Sequence, residues 1–174
     1  MQELTPLLQP GDPVLDLGCG CGIPVAQELA RAFTVTGVDI SEVQIERARA
    51  LVPQATFLCR DFMSVDFAPQ SFTAVVSFYA IIHVPLPEQR PLFDRIFTWL
   101  RPGGYLMAIV GHEAWTGYEE AWYGAPMYWS HADEATYLEW LQEAGFVVLS
   151  RQFIPEGDSG HVLLLAQRPG ETAD

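Results

Sequence analysis

The stretch VLDLGCGCGIP, residues 14–24, decides how the whole chain is read. Val14, Leu15 and Leu17 form a short apolar run of the kind that makes a buried β-strand. Gly18, Gly20 and Gly22 follow at two-residue spacing and take side chains away where backbone has to approach a bound molecule. A helix is expected over residues 23–33, because Val25, Ala26, Leu29, Ala30 and Phe33 fall on one apolar face. Pro24 is tolerated there, since the first helical turn needs no amide donor. Strand, glycine turn and helix make half of a doubly wound α/β unit, with the turn as its ligand loop.

The spacing narrows the ligand. A P-loop needs a Lys-Ser/Thr pair, and the sequence contains no lysine. The nicotinamide or flavin fingerprint GxGxxG needs a glycine at position 23, which is Ile23 here. What stands instead is GxGxG with Asp16 two residues ahead of it.

Outward from the loop the βα pattern repeats. FTVTGVD (residues 33–39) reads as the second strand, ending in Asp39, and Ser41 is a plausible cap for a helix over residues 42–51. A carboxylate at that strand end accepts two hydroxyl hydrogen bonds and suits a ribose diol, as both nicotinamide and S-adenosyl cofactors require. Residues 55–59 make a third strand, followed at once by Asp61-Phe62. In a parallel sheet wound this way Asp16, Asp39 and Asp61 converge along one crevice, where they would repel phosphates but accept the sulfonium and ammonium of S-adenosylmethionine (SAM).

FTAVVSF (72–78) is the fourth strand, leading through Tyr79 and His83 to a helix around residues 88–100. RPGG (101–104) reads as a turn and residues 105–110 as the fifth strand. A helix over 133–144, capped near Asp133 and ended by Gly145, precedes strands at 146–154 and 161–167. The short connection at 155–160 makes these last strands antiparallel. The expected fold is therefore α/β, a seven-stranded doubly wound sheet, mostly parallel, with an antiparallel last strand.

Residues 111–131, GHEAWTGYEEAWYGAPMYWSH, fit none of these elements and hold Trp115, Tyr118, Trp122, Tyr123, Tyr128 and Trp129. A long connection after the fifth strand lies over the crevice, so it reads as an aromatic lid on a small-molecule pocket. Glu113, Glu119, Glu120, His112 and His131 are its candidate polar groups, and rings with acids also suit a cationic amine. A packed cap with no substrate role remains the alternative.

Composition bounds the rest. At 174 residues the chain reads as one domain over residues 1–168 with a flexible tail at 169–174, and 49% hydrophobic against 18% charged residues excludes general disorder. A net charge of −13 argues against nucleic acid as a partner. No apolar run is long enough for a membrane span, so no membrane partner is expected and the default location is cytoplasmic. Cys19, Cys21 and Cys59 lack paired CxxC spacing and read as small thiols, with no metal site and no disulfide framework.

From about residue 10 to residue 168 the chain resembles the class I, Rossmann-like SAM-dependent methyltransferases, especially small bacterial ones, here with an aromatic insert after strand five. The resemblance rests on the GxGxG loop, the acids after strands two and three, and the RPGG turn. It implies that SAM is the cofactor and S-adenosylhomocysteine the product. It puts Gly18 and Gly20 around the methionine moiety with Asp16 behind, Asp39 on the ribose, and Ile40 against the adenine. Asp61 would face the adenine amine, Phe62 the ring, and Ser77 to Tyr79 the amino group and methyl; Gln44 occupies a common Met or Gln position. Two motifs are absent: the Asn/Asp-Pro-Pro-Tyr of amino methylation and the Pro-Cys of cytosine-carbon methylation. About ten residues precede the first strand, where the family usually has several helical turns, so the cofactor is expected to stay partly exposed unless a homodimer partner covers it.

Methyl transfer from a sulfonium asks the protein for alignment and exclusion of water. His83 and His131, with Tyr79 between strand four and the insert, are the candidate catalytic residues for an oxygen or nitrogen acceptor that has a proton to lose. A nicotinamide-dependent reductase and a non-catalytic SAM-binding protein are the rival readings.

Overall fold

The structure is a computed structural model and describes residues 1–122 and 124–170, Trp122 by its backbone alone. Tyr123 of the insert, and the expected tail from residue 171 onward, lie outside the described residues.

Seven strands form one sheet in the order β3-β2-β1-β4-β5-β9-β8. They are β1 (Pro13–Leu17), β2 (Thr34–Asp39), β3 (Thr56–Cys59), β4 (Phe72–Ser77), β5 (Leu100–Gly111), β8 (Val147–Glu156) and β9 (Ser159–Gln167). The pairs among the first five strands are parallel, whereas β9 runs antiparallel to both β5 and β8. The expected α/β architecture is thus present. Helices α1 (Val25–Leu29), α2 (Glu42–Leu51), α3 (Leu86–Trp99) and α4 (Glu134–Glu143) cover the faces.

Side-chain alternation along each strand splits the core in two, as a period of two requires. Leu15, Leu17, Val75, Leu106 and Ala108 pack with Phe93, Ile96 and Trp99 of α3 and Tyr137 of α4. Val14, Ala74, Val76 and Met107 pack on the other face with Ala26, Leu29, Ile45 and Ala48 of α1 and α2. Leu4 and Leu8 join that second cluster. The segment before β1 therefore plugs the core, which its interrupted apolar pattern did not announce.

Helix ends follow their side chains. The Ser41 hydroxyl accepts from the Gln44 amide at 3.4 Å, the Asp133 carboxylate accepts from the Thr136 amide at 2.9 Å, and Gly145 leaves α4 at φ +98°. The first helix is shorter than its apolar face suggests. Phe33 N–H still bonds back to Leu29, but the Arg31 and Ala32 amides reach only three residues back, so the chain ends in tight turns.

The insert is a correction to the expected lid loop: it is a second, two-stranded sheet, β6 (Trp115–Trp122) with β7 (Ala125–His131), antiparallel and in register Trp115↔His131 and Tyr118↔Tyr128. Its root is fixed by polar groups. Gln89, fully buried on α3, donates to the Val84 and Ser130 carbonyls and accepts from the Tyr137 hydroxyl at 2.5 Å, while Leu86 N–H donates to Ser130 Oγ at 3.0 Å. These bonds tie α3, α4 and the end of β7 into one support.

Candidate functional site: a donor cleft and an aromatic pocket sharing a wall

The carboxyl ends of β1 and β4 open a cleft of about 410 Å³, lined by Asp16, Gly18, Cys19, Gly20, Gln44 and Tyr79 among others. The glycine turn is anchored first through its amides: Gly18 and Cys19 N–H both donate to the Val38 carbonyl, at 2.8 and 3.0 Å. Asp39 then clamps it, one carboxylate oxygen accepting from Gly20 N–H and the other from Ser41 N–H, each at 2.9 Å.

The glycines differ in purpose. A Cβ on Gly18 would fall 2.1 Å from the Ala80 methyl and one on Gly22 3.1 Å from Val52, so these two approach protein. Gly20, at φ +52°, has open space where its Cβ would be, and there the turn exposes bare backbone to the cleft.

Two acceptors in this cleft are buried without a hydrogen-bond partner, Asp16 Oδ2 and Gln44 Oε1. Asp16 is 2% exposed, and burial first, then the charge of Asp39, pushes its carboxyl up to about 7. Two orphaned acceptors, one of them the acid Asp16, and no arginine among the described lining residues of a chain without lysine call for a donor-rich, cationic guest. The residues present therefore fit SAM.

The remaining cofactor candidates stand along the neighbouring strand ends, outside the lining of the cleft. Asp39 pairs with Cys59 across β2 and β3, and Ile40 beside it is 72% exposed, an apolar side chain left bare. Asp61 is exposed and accepts from Met63 N–H at 2.8 Å, and Phe62 stands next to Gly18. Ser77 is different: its fully buried hydroxyl donates to the Leu17 carbonyl at 3.0 Å and staples β4 to β1.

A second pocket, of about 580 Å³, lies between the hairpin and the β8–β9 turn. Glu113, Trp115, Glu119, Trp129, His131, Glu156 and His161 are among its lining. Of the polar groups expected from the insert, Glu113, Glu119 and His131 reach it; Glu120 is not among its lining, and His112 instead faces Glu134 at 3.6 Å and Phe153 at 4.7 Å. His131 Nδ1 lies 2.7 Å from the Glu113 carbonyl, which closes the hairpin base. His83 does not line either pocket. It sits behind Trp129, ring to ring at 4.6 Å, with Nδ1 2.6 Å from the Tyr128 carbonyl, and burial holds its imidazole below the usual range.

Glu156 and His161 did not emerge from the sequence, because their turn reads as a connection at the far end of the sheet. The strand order explains their place. β9 lies next to β5, and the register Gly111↔His161 sets His161 opposite the residue from which the insert departs. His161 is 9% exposed, and burial lowers its pKa despite the nearby Glu156 charge. Its Nδ1 lies 3.3 Å from Glu156 Oε2, out of line for a hydrogen bond. Tyr79 lines the first pocket, yet its hydroxyl donates to Glu156 Oε1 and its ring meets His161 edge-on at 5.5 Å. It stands between the first pocket and two lining residues of the second.

Sheet order, glycine turn and acidic cleft define a class I, Rossmann-like fold of the methyltransferase type. A family model described as a methyltransferase domain matches residues 14–104, and the chain belongs to that family, the SAM-dependent methyltransferases. A sterol 24-C-methyltransferase from Yarrowia lipolytica is 40% identical over 106 residues, which are 56% of this chain and 27% of that protein. The chain thus spans about a quarter of the length of that relative. Among solved structures, a SAM-dependent methyltransferase from Methanosarcina mazei superposes with a TM-score of 0.84 at 20% identity, covering 98% of this chain and 99% of the other. Magnesium protoporphyrin IX methyltransferase from Synechocystis, solved with bound SAM, gives 0.72 at 20% identity over 91% of this chain and 71% of its own. The family match ends at Gly104. The aromatic pocket is built from residues beyond it.

Proposed function

We propose that this chain transfers the methyl group of SAM to an oxygen or nitrogen atom of a small molecule held in the aromatic pocket, and that residues 1–168 act as one domain carrying the hairpin as an insert. The observation that carries this reading is Tyr79, which lines the donor cleft and contacts Glu156 and His161 of the pocket. SAM, when bound, supplies an electrophilic methyl on a sulfonium. Asp16, Gly18, Gly20 and Gln44 would hold its amino-acid end, and Asp39, Ile40, Asp61 and Phe62 its nucleoside. Ser77 contributes by stapling the two strands that frame the cleft.

On the acceptor side, Trp115 and Trp129 give an apolar bed and exclude water. His161, neutral near pH 7 because burial lowers its pKa, is the better-placed proton acceptor, with His131 beside it at 5.8 Å between rings. His83 buttresses Trp129 from behind. The Yarrowia relative acts on a sterol. This chain's pocket suits an apolar acceptor with one polar end.

Calorimetry with S-adenosylhomocysteine, followed by a screen of phenols and amines for conversion of SAM, tests the reading. Micromolar cofactor binding with acceptor-dependent turnover is expected. Absence of cofactor binding overturns it, and binding without turnover across the screen would make the chain a SAM-binding protein without catalysis.

A further inference from the structure

We propose that the aromatic pocket recognises the ammonium head of an amine, which makes the acceptor a small apolar amine; this rests on the methyltransferase reading above. The pocket gathers three carboxylates from separate elements: Glu113 before β6, Glu119 on β6 and Glu156 at the end of β8. No arginine is among its described lining residues, and the sequence has no lysine. An anionic acceptor would be repelled by all three carboxylates, and a neutral one would gain nothing from the exposed Glu113 and Glu119.

The acids do not stand alone. The indoles of Trp115 and Trp129, 6.2 Å apart and inclined at 44°, offer the negative ring faces that attract a cation. His161 lies in the same wall, nine-tenths buried, with Nδ1 3.3 Å from Glu156 Oε2 but outside hydrogen-bond geometry. The groups facing it are Glu156 from β8, His131 from β7, Tyr79 after β4 and the stacked Trp129 ring. An amine must lose a proton before its nitrogen can act as a nucleophile. That proton passes from the ammonium nitrogen to the His161 ring, the N–H pair stays on the amine nitrogen as its lone pair, and the positive charge moves to an imidazolium beside Glu156.

The test compares three probes of one shape, 2-phenylethylamine, 2-phenylethanol and 3-phenylpropanoate, titrated calorimetrically into the full chain with and without S-adenosylhomocysteine at pH 7.5. The amine is expected to bind at least about tenfold tighter than the alcohol, with the carboxylate weakest. The exposed pair Glu113→Gln with Glu119→Gln should bring amine and alcohol to within about twofold while circular dichroism stays unchanged. Equal or tighter binding of the alcohol, no binding of the amine, or a preference untouched by the double substitution overturns the inference. S-adenosylhomocysteine binding reports separately: if it persists while the amine preference fails, only the acceptor class is wrong, and if it is absent the methyltransferase reading falls with it.

Discussion

The hydroxyl of Tyr79 donates to Oε1 of Glu156 across 77 residues of chain, joining the end of β4 to the β8–β9 turn. Tyr79 holds φ at +54°, a left-handed conformation that a bulky side chain adopts at a cost, and its ring meets His161 edge-on. Burial, then the Glu156 hydrogen bond and charge, pushes the phenol up to about 12, so it remains a donor at any working pH.

Tyr79→Phe removes that hydrogen bond and leaves the ring. Because the side chain is exposed, folding stability should change by no more than about 0.5 kcal/mol. Acceptor affinity and turnover should fall while S-adenosylhomocysteine affinity, measured by calorimetry, stays within about twofold. A large loss of cofactor affinity with acceptor binding intact would place Tyr79 wholly on the donor side.

Asp39→Ala removes the acceptor of both Gly20 N–H and Ser41 N–H, so the glycine turn loosens, and the proposed ribose site loses its carboxylate. Cofactor binding should weaken by roughly 1–3 kcal/mol, the range for charged hydrogen bonds. Unchanged affinity by calorimetry would remove Asp39 from the site.

Asp16 carries a stability cost that depends on pH. Its folded pKa, about 7, lies above the ordinary 3.8, so between those values the fold holds a proton that the unfolded chain has released. Stability therefore falls as pH rises from about 4 to about 7, and the cost is fully present above pH 7. Asp16→Asn should raise thermal stability at pH 8 by roughly 1–3 kcal/mol, with little gain at pH 4, and weaken cofactor binding. A melting curve at pH 8 no higher than the wild-type curve would mean that the buried carboxylate carries no such penalty.

Strand order and the glycine turn were legible because their signals are local: a strand's apolar alternation and the GxGxG spacing. The hairpin is less legible, although Thr116, Tyr118, Tyr128 and Trp129 are β-formers flanking the Gly124 turn, because its rings fall on both faces and blur the period of two. Glu156 and His161 were invisible for a topological reason: only the placement of β9 between β5 and β8 returns their turn to the pocket. The roles of individual glycines depend on packing, since spacing alone does not say that Gly18 is bare for Ala80 and Gly20 for the cleft.

The histidines provide the last discrimination. His83 is a packed residue whose imidazole is held neutral, first by burial and further by the nearby His131, against a partial offset from the Tyr128 carbonyl. With a folded pKa below the ordinary 6.5, the unfolded chain binds a proton that the fold refuses, so stability is full above pH 6.5 and declines as pH falls toward the folded value. His83→Gln should flatten that decline in urea titrations run between about pH 5 and pH 7, cost roughly 0.5–2 kcal/mol at pH 8, and leave cofactor affinity unchanged. His161→Gln should do the opposite in kinetics: because His161 lines the pocket, the acid limb of the kcat/KM profile should disappear and turnover should drop by about two orders of magnitude, the usual loss of a positioned base. If instead His83→Gln erases the acid limb and His161→Gln spares it, the proton acceptor is the residue behind Trp129, and the pocket must open there for the acceptor to reach it.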